Sequence, residues 1–302
     1  MSDVGFVTLA IPGRNDQKIL MLARSLRAFG GVLRAFPLYA LVPDSFDGFS
    51  LAIQEEFKRL DVKVESFAID SALLEFPFAV KVIAAAYAES ALGGQYQLLS
   101  WLDDDNLIIQ PPKEFLISKD KLLAYRPVHH KLIGLAWNEP QDDFWSLVYQ
   151  VCDVPDGRDF LMETHTGTKI KPYFNAGTYV IQPELGILHQ WQELFLENYD
   201  QPTFEAFYER NQLYTVFIHQ ALFTGVILHH LDPEEMRLLS PKINYPLHLH
   251  AEVPADNRPK TINELTTLRY ENSFSKPDWR KKFPISEPLM TWLDSQPLAQ
   301  IT

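Results

Sequence analysis

The sequence is poor in cysteine and in basic residues. A single cysteine, Cys152, occurs among 302 residues, which excludes an internal disulfide and a cysteine metal cluster. Lysine and arginine together number 27 against 39 aspartates and glutamates, so the formal net charge is −12. This balance argues against a nucleic acid or an anionic membrane surface as the partner.

Long apolar runs are also missing. No apolar stretch approaches the roughly 20 residues that a membrane-spanning helix needs, so we expect no integral membrane segment. The first residues, MSDVGFVTLAIPG, lack the basic segment and the long apolar core of a signal peptide, and we expect a cytoplasmic protein. Apolar residues nevertheless make up 46% of the chain, which is ample for a large core.

The first hundred residues alternate between strand and helix patterns. Short apolar runs bounded by turn residues predict strands at Val4–Ala10, Phe36–Val42, Val62–Phe67 and Tyr96–Leu102. Apolar residues at helical spacing predict helices that begin near Asn15 or Asp16, near Ile53 and at Pro77. Such alternation is typical of an α/β fold with a mostly parallel central sheet and helices on both faces.

The alternation loosens after residue 110. The same patterns predict further strands and helices at Leu122–Val128 (strand), Asp142–Val151 (helix), Tyr173–Ile181 (strand), Pro183–Tyr199 (helix) and Tyr214–Leu228 (helix). The polar, glycine-containing segment 153–171 is interpreted as a loop or hairpin. Prolines recur after Leu239, and we expect little regular structure there.

Three consecutive aspartates follow the fourth predicted strand, in Leu98–Gln110 (LLSWLDDDNLIIQ). Adjacent carboxylates repel one another and lose solvation where a strand end is enclosed, so a cation is the simplest remedy. Asp103 and Asp105 would point the same way on an extended backbone, and carboxylate oxygens at that spacing suit Mn²⁺ or Mg²⁺. A solvated acidic turn is the alternative, but in an α/β sheet ligands bind at the carboxyl ends of strands.

These features together resemble the nucleotide-sugar glycosyltransferases of the GT-A type, with the family-8-like retaining enzymes the nearest likeness. The resemblance rests on LLSWLDDDNLII, on the FNAG-like segment PYFNAGTYVIQP at 172–183, on His219-Gln220, and on His248-x-His250. It spans roughly residues 4–250. Two features depart from the pattern: His219-Gln220-Ala221 stands where that family often has an acidic-Gln-acidic trio, and the family's final Lys-Pro-Trp-type segment is missing.

The resemblance implies one GT-A-like catalytic domain over 1–302. We expect a nucleotide-binding half at 1–110, an acceptor half at 111–250 and a C-terminal extension at 251–302. The expected reaction is metal-dependent, hexosyltransferase-like transfer of a sugar from a UDP- or GDP-sugar to a hydroxyl of a carbohydrate or another acceptor. The expected cofactor is Mn²⁺ or Mg²⁺.

The resemblance also assigns roles to individual residues. The predicted metal ligands are Asp103, Asp105 and His250; His248 remains open as the third ligand, because an extended segment would turn both histidines to one side. The predicted donor-binding residues are Thr8, Ala10, Ile11, Lys81 and Asp104. The predicted catalytic residues are Gln220 and Asn175, and the predicted acceptor-binding residues are Asn175, Gly177 and His219.

Other classes fit the sequence less well. A nucleotidyltransferase of similar fold would want a glycine-rich, basic loop after the first strand, where only Gly13-Arg14 is present. A non-catalytic nucleotide- or sugar-binding descendant is opposed by the intact Asp103 and Asp105. A phosphotransferase of the haloacid-dehalogenase kind would need a different residue pattern after the second aspartate and a late Gly-Asp motif.

Overall fold

The computed structural model describes residues 3–298, and its first half confirms the predicted alternation of strands and helices. The strands are β1 (Val4–Leu9), β2 (Leu38–Pro43), β3 (Val62–Phe67), β4 (Leu98–Leu102), β5 (Asn106–Ile108), β6 (Leu123–Pro127), β7 (Met162–Glu163), β8 (Lys169–Ile170), β9 (Phe174–Ile181), β10 (Met236–Leu238), β11 (Tyr245–Pro246) and β12 (Thr267–Arg269). The helices are α1 (Asp16–Phe29), α2 (Leu51–Arg59), α3 (Ala79–Leu92), α4 (Asp143–Val151), α5 (Ile187–Asn198), α6 (Pro202–Tyr208), α7 (Gln212–His230), α8 (Trp279–Lys282) and α9 (Leu289–Asp294).

A central sheet organises these elements. Within residues 3–298 it has seven strands in the order β10-β6-β9-β4-β1-β2-β3. Strand β1 pairs in parallel with β2 on one side and with β4 on the other, and β9 is antiparallel to both β4 and β6. The predicted α/β class with a mostly parallel sheet is therefore confirmed. The strand order reverses at β1, where α/β sheets form their ligand crevice.

Helices cover both faces of the sheet, so the inner strands β1, β2, β4 and β9 are buried on both faces. Phe6 and Val7 are neighbours in β1, yet their side chains enter different cores, since successive residues of a strand point to opposite sides. Helices α3, α5 and α7 pack on the side of Val7, and α1 and α2 pack on the side of Phe6. Parallel strands buried in this way have the continuous apolar composition from which they were predicted.

Helix α7 is a buried helix that forms despite its many β-branched and aromatic residues. Its residues from Ile218 to Leu228 are all buried, so tertiary packing outweighs the modest helix propensity of these side chains. Gly225 allows the closest approach on this helix: a Cβ there would lie 2.4 Å from the Cys152 sulfur.

Several local details differ from the sequence-based expectations. Helix α3 begins at Ala79 rather than at Pro77, because Phe78 adopts the left-handed conformation with φ of +61° and acts as the N-cap. The segment 153–171 contains the short hairpin β7–β8 within a longer loop. Helix α6 was not predicted. No helix within residues 3–298 has the length and apolar character needed to cross a membrane.

The segment after residue 239 has little regular structure, as expected, but it is well packed. Its apolar side chains form a third core with Leu107 of the β5 strand and Met21 of α1. A small sheet anchors it, in which β12 lies between β11 and β5. Strand β12 pairs antiparallel with β5, and this pairing sets Arg269 opposite Asn106. The C-terminal segment therefore reaches the end of the aspartate cluster.

Candidate active site

A cavity of about 640 Å³ opens at the carboxyl ends of β1 and β4. Its polar lining contains four basic side chains, Arg14, Lys18, Lys81 and Arg269, and three acidic side chains, Glu75, Asp103 and Asp104. Its apolar lining includes Ile11, Phe46, Phe76 and Phe78. The volume is typical of a small-molecule site, and the mixture of apolar walls with a few convergent charges is what such sites use for orientation.

The three aspartates lie on a tight turn rather than on extended backbone. The backbone N–H of Asn106 donates to the carbonyl of Asp103, at 3.0 Å, which closes a four-residue turn. The premise that an extended backbone turns Asp103 and Asp105 the same way is therefore wrong. The two carboxylates nevertheless converge on one group, the guanidinium of Arg269.

Asp103 is held by Lys81 and Trp101. The Lys81 ammonium lies 2.7 Å from one carboxylate oxygen of Asp103 and 2.8 Å from the other. The indole N–H of Trp101 donates to Oδ1 at 2.9 Å. Burial alone would raise the pKa of the Asp103 carboxyl, but Lys81 and Arg269 together lower it below its ordinary value. Asp103 is therefore ionised, with its charge balanced inside the protein.

Asp105 makes a two-point contact with Arg269. The guanidinium Nε donates to Oδ1 at 2.9 Å, and Nη2 donates to Oδ2 at 3.0 Å. This is the fork geometry in which arginine binds a carboxylate most strongly. Burial alone would lower the pKa of Arg269, but the charges of Asp105 and Asp103 raise it above the usual range. The geometry is set by β12, because the Tyr270 N–H also donates to the Asp105 carbonyl.

Asp104 differs from its two neighbours because, among residues 3–298, no basic side chain is in hydrogen-bond contact with it. The side-chain amide of Asn15 donates to its Oδ2 at 2.7 Å. Burial, and next the charge of Asp105, raise the pKa of Asp104 to about 6. Asn15 is itself fixed, since its amide oxygen accepts from the N–H of Ile11 at the start of the loop after β1. This loop and the aspartate turn therefore share one hydrogen-bond network at the cavity.

The late histidines do not complete a metal site with the aspartates. They lie at a short 3₁₀ turn, Leu247–Leu249, and not on an extended segment, so their side chains diverge. The His250 ring accepts from or donates to the Tyr245 hydroxyl at 2.8 Å, whereas His248 Nδ1 lies 3.3 Å from a Glu271 oxygen. Between residues 3 and 298 no group of three or more His, Cys, Asp or Glu side chains is arranged to hold a metal ion. The donor set as it stands does not fit Mn²⁺ or Mg²⁺.

The FNAG-like segment lies in β9 beside Asp103. Asn175 is 5% exposed, and its side-chain oxygen accepts the backbone N–H of Gly177 at 2.8 Å. Gln220 on α7 is 6% exposed, and its oxygen accepts the N–H of Ala176 at 3.0 Å. Gly177 itself leaves room for the ion pairs, because a Cβ there would lie 2.6 Å from Asp103 Oδ2. These contacts order the strand around the aspartates.

His219 lies behind the apolar wall of the cavity. Its ring stacks on Phe78 with 4.4 Å between ring centroids, and its Nδ1 donates to the Val216 carbonyl at 2.9 Å. Burial, and next the charge of Lys81, lower its pKa to about 3. His219 is therefore a neutral side chain that supports Phe78. Its acceptor-binding role stays a prediction, as do the roles of Asn175, Gly177 and Gln220.

The structure brings some of the predicted donor-binding residues to the cavity and not others. Ile11, Lys81 and Asp104 line it. Thr8 in β1 and Ala10 just after it have no exposed surface, and neither lines the cavity.

Several lining residues were missed at the sequence level. A signal for Arg14 was present, because it stands in the turn just after β1. No sequence pattern near Arg269 indicates that it belongs to the site, because 164 residues separate it from Asp105.

The chain has a GT-A-type fold with a cavity at the carboxyl ends of β1 and β4. Residues 6–215 match a family model described as the Rhodobacterales glycosyltransferase domain. The match covers more than half of the chain, and the chain therefore belongs to this family of glycosyltransferases. The resemblance stated from the aspartate and FNAG motifs is confirmed at this level. A search of curated protein sequences found no match.

The chain is also similar to solved structures with very different sequences. The glycosyltransferase GlyE of Streptococcus pneumoniae TIGR4 aligns over 100% of this chain with a TM-score of 0.50 and 11% identity, and the alignment covers 61% of the GlyE chain. The galactosyltransferase LgtC, in complex with donor and acceptor sugar analogues, aligns over 95% of this chain and 99% of its own, with a TM-score of 0.48 and 13% identity. Mouse xyloside xylosyltransferase 1 aligns over 88% and 97% of the two chains, with a TM-score of 0.46 and 13% identity.

Proposed function

We propose that this glycosyltransferase moves a sugar from a nucleoside-diphosphate sugar to a hydroxyl group of an acceptor. The observation that carries the proposal is the cavity at the β1–β4 edge, which combines a cluster of basic side chains with an apolar wall. A nucleotide sugar has the matching parts: an anionic diphosphate, a planar base and a sugar with several hydroxyl groups.

The charges of the cavity differ from those of the whole chain. The chain carries a formal net charge of −12, yet the cavity lining has four basic and three acidic side chains. Lys81 and Arg269 lie at its inner end beside Asp103, and Arg14 and Lys18 follow β1. An anion entering this otherwise acidic protein would be attracted to that cluster. This supports a diphosphate as the charged part of the ligand.

The acidic and apolar groups suit the rest of the donor. No basic side chain of the described part of the chain is in hydrogen-bond contact with Asp104, so its carboxylate can accept hydrogen bonds from ribose or sugar hydroxyls. Phe46 and Ile11 offer apolar contact to a base near the end of β1. Phe78 is 44% exposed at the cavity and is held by its stack on His219, which makes it a firm surface for a sugar ring.

In the proposed reaction the bond between the anomeric carbon and the diphosphate oxygen breaks, and its electron pair leaves with the diphosphate. The acceptor oxygen forms the new bond, and its proton passes to the departing diphosphate. Negative charge therefore grows on the diphosphate, and fixed cationic groups that face it stabilise the transition state. Retention of the anomeric configuration is supported only by the likeness of the FNAG segment to family-8 enzymes.

The metal dependence expected from the sequence stays a prediction. If Mn²⁺ or Mg²⁺ bound here, Asp103 and Asp105 would be its ligands and the ion would act as a Lewis acid on the diphosphate. The ion pairs of both carboxylates and the divergent histidines argue against that arrangement. No step above depends on the ion.

Titration calorimetry with UDP, GDP and UTP tests the proposal. We expect a nucleoside diphosphate to bind, and we expect Arg14→Gln to weaken it by about 2- to 5-fold, as for an exposed charge contact. Arg34→Gln is the matched control, because Arg34 is exposed on the α1–β2 connection, whereas Arg14 is on the β1–α1 loop, and Arg34 does not line the cavity. Release of UDP or GDP from the corresponding sugars in the presence of acceptors then measures transfer.

The alternatives give different results in the same experiment. Absence of binding by any nucleoside diphosphate would refute the proposal. Preference for UTP over UDP would indicate a nucleotidyltransferase. Diphosphate binding without turnover of any UDP- or GDP-sugar would indicate a non-catalytic descendant.

A further inference from the structure

The carboxylates that would bind a divalent cation are already neutralised by the chain itself. Asp103 and Asp105 carry two negative charges, and Lys81 and Arg269 carry two positive charges in direct contact with them. The pairs are enclosed: the side-chain exposures are 8% for Lys81, 12% for Asp103, 6% for Asp105 and 20% for Arg269. The charges of Asp103 and Asp105 are therefore balanced without an added ion.

The Arg269 guanidinium occupies the space between the two aspartates. Nη2 donates to Asp105 Oδ2 at 3.0 Å and lies 3.6 Å from Asp103 Oδ2, while Nε contacts both oxygens of Asp105. A cation that bridged Asp103 and Asp105 would have to displace this group. The displaced guanidinium would keep its charge, because arginine does not deprotonate in proteins. It would then be enclosed next to a divalent cation of the same sign.

The fold holds Arg269 in this place from several directions. Strand β12 pairs with β5 immediately after the aspartate turn, and the Tyr270 N–H donates to the Asp105 carbonyl at 3.0 Å. Gly177 of β9 completes the enclosure, because an added Cβ would come within 3.2 Å of Arg269 Nη1. The third core packs β12 from behind through Leu268 and Tyr270. Arg269 is thus a fixed part of the site and not a mobile surface side chain.

Lys81 and Arg269 also line the cavity that the proposed donor would occupy. They are therefore positioned both to neutralise the aspartates and to meet an anion entering from the cavity. Guanidinium and ammonium groups stabilise a developing phosphate charge by the same electrostatic effect as a metal ion. Because both groups lie next to Asp103, their positive charge is close to the position that a cation bound by Asp103 and Asp105 would occupy.

We propose that Lys81 and Arg269 take the place of the divalent cation in this enzyme, so that the donor diphosphate is bound and its leaving charge stabilised without metal. The inference rests on the proposed function for the identity of the diphosphate. Of the two residues, Lys81 lies in α3 and Arg269 lies in β12 of the C-terminal segment, far from the aspartate motif in the chain. In this proposal Asp103 and Asp105 bind two basic side chains instead of a metal ion.

The first measurement uses the metal alone. Electron paramagnetic resonance follows the loss of the free Mn²⁺ signal on titration of the wild-type protein and of Arg269→Gln. We expect no binding by the wild type, and we expect Arg269→Gln to bind Mn²⁺, because the substitution releases Asp105 and uncovers Asp103. Arg237→Gln, a strand arginine of β10 that does not line the cavity, is the matched control and should behave as the wild type.

The second measurement is calorimetry with UDP and GDP, in EDTA and in Mn²⁺. The wild type should bind its preferred nucleotide with the same affinity in EDTA and in Mn²⁺. Arg269→Gln should lose about 10- to 100-fold in EDTA, as expected for one charge-assisted contact to an anion, and should recover part of the loss in Mn²⁺. Arg269→Lys keeps the positive charge but loses the two-point contact, so its nucleotide affinity in EDTA should lie between those of the wild type and Arg269→Gln. Thermal unfolding of each variant checks that it is folded.

The outcomes separate the inference from the proposed function. Stoichiometric Mn²⁺ binding by the wild type, or nucleotide binding that EDTA abolishes and Mn²⁺ restores, would overturn the metal-free inference and leave the proposed function intact. Failure of both nucleotides to bind in either condition would overturn the proposed function and, with it, the role of Lys81 and Arg269 toward a diphosphate.

Discussion

Removal of the Lys81 ammonium should destabilise the folded protein through the charge it leaves behind. In Lys81→Met the Asp103 carboxylate loses a partner that lies within 2.8 Å of both of its oxygens, at a site where the carboxylate is only 12% exposed. Breaking a buried pair from one side costs about 3–5 kcal/mol. Asp103 keeps its bond from Trp101 and the more distant Arg269, so we expect a cost of about 2–3 kcal/mol.

The same substitution should cost much less when the charge of Asp103 is absent. In the Asp103→Asn background no carboxylate is left uncompensated, and Lys81→Met should cost less than about 1 kcal/mol there. The difference between the two backgrounds, about 1–3 kcal/mol, is the coupling energy of the pair. Urea unfolding followed by tryptophan fluorescence and circular dichroism measures all four proteins. Lys58→Met, on the exposed face of α2, is the matched control and should change stability by less than about 0.5 kcal/mol.

The pH dependence of this stability cost independently tests whether the charge of Asp103 is its cause. The pKa of Asp103 is lowered in the folded state, so its stabilising contribution is present above the unfolded pKa near 3.9 and is lost as the pH falls through the folded pKa. Without Lys81 the burial of Asp103 raises its pKa, so the cost of Lys81→Met should shrink as the pH falls toward about 4 and below. Equal costs of Lys81→Met in the wild-type and Asp103→Asn backgrounds at neutral pH would refute the reasoning that an uncompensated charge is responsible.

Three further predictions concern the surroundings of the cavity. Gly177→Ala should destabilise the protein by about 1–3 kcal/mol in urea unfolding, because its Cβ would lie 2.6 Å from the Asp103 carboxylate; Gly94→Ala, with no atom within 4 Å of its Cβ, is the control and should be nearly neutral. The pKa of His219 is lowered to about 3, so neutral His219 stabilises the folded state above pH 6.5, and this contribution is lost as the pH falls from 6.5 toward 3. In unfolding experiments at several pH values, the free energy of unfolding should fall less in acid for His219→Phe than for the wild type. An equal fall for both proteins would contradict this prediction. Glu89→Ala should cost about 1–2 kcal/mol and speed amide exchange at the start of α5, because the buried Glu89 carboxylate accepts two backbone N–H groups there; unchanged exchange would count against this capping role.

The repeated strand–helix pattern, and with it the fold class, was predictable from local periodicity. Strands buried on both faces are continuous apolar runs, and helices on the sheet repeat their apolar residues every three or four positions, so each leaves a mark within a short window. The bounds of β3, Val62–Phe67, were predicted to the residue, although this edge strand is partly exposed and is not a continuous apolar run. The position of the aspartate cluster at the end of the fourth strand was also predictable, because the strand and the charged turn are adjacent in the chain.

Local geometry was less predictable where turns replace extended backbone. The spacing of Asp103 and Asp105, and of His248 and His250, was interpreted with the two-residue period of a strand. The aspartates lie on a tight turn and the histidines at a 3₁₀ turn, so the predicted side-chain directions were wrong for both pairs. Short polar or proline-flanked segments have too few periodic residues to distinguish these conformations.

The aspartate motif, its place in an α/β sheet and the family likeness could all be predicted from the amino-acid sequence, because each depends on residues that are close together in the chain. The partners that neutralise the motif could not. Arg269 is separated from Asp105 by 164 residues and reaches it only because β12 pairs with β5 and the third core packs behind that pairing. A contact of this kind depends on chain closure over a long distance and leaves no local periodicity, so only the tertiary structure decides whether the aspartates face a metal ion or an arginine.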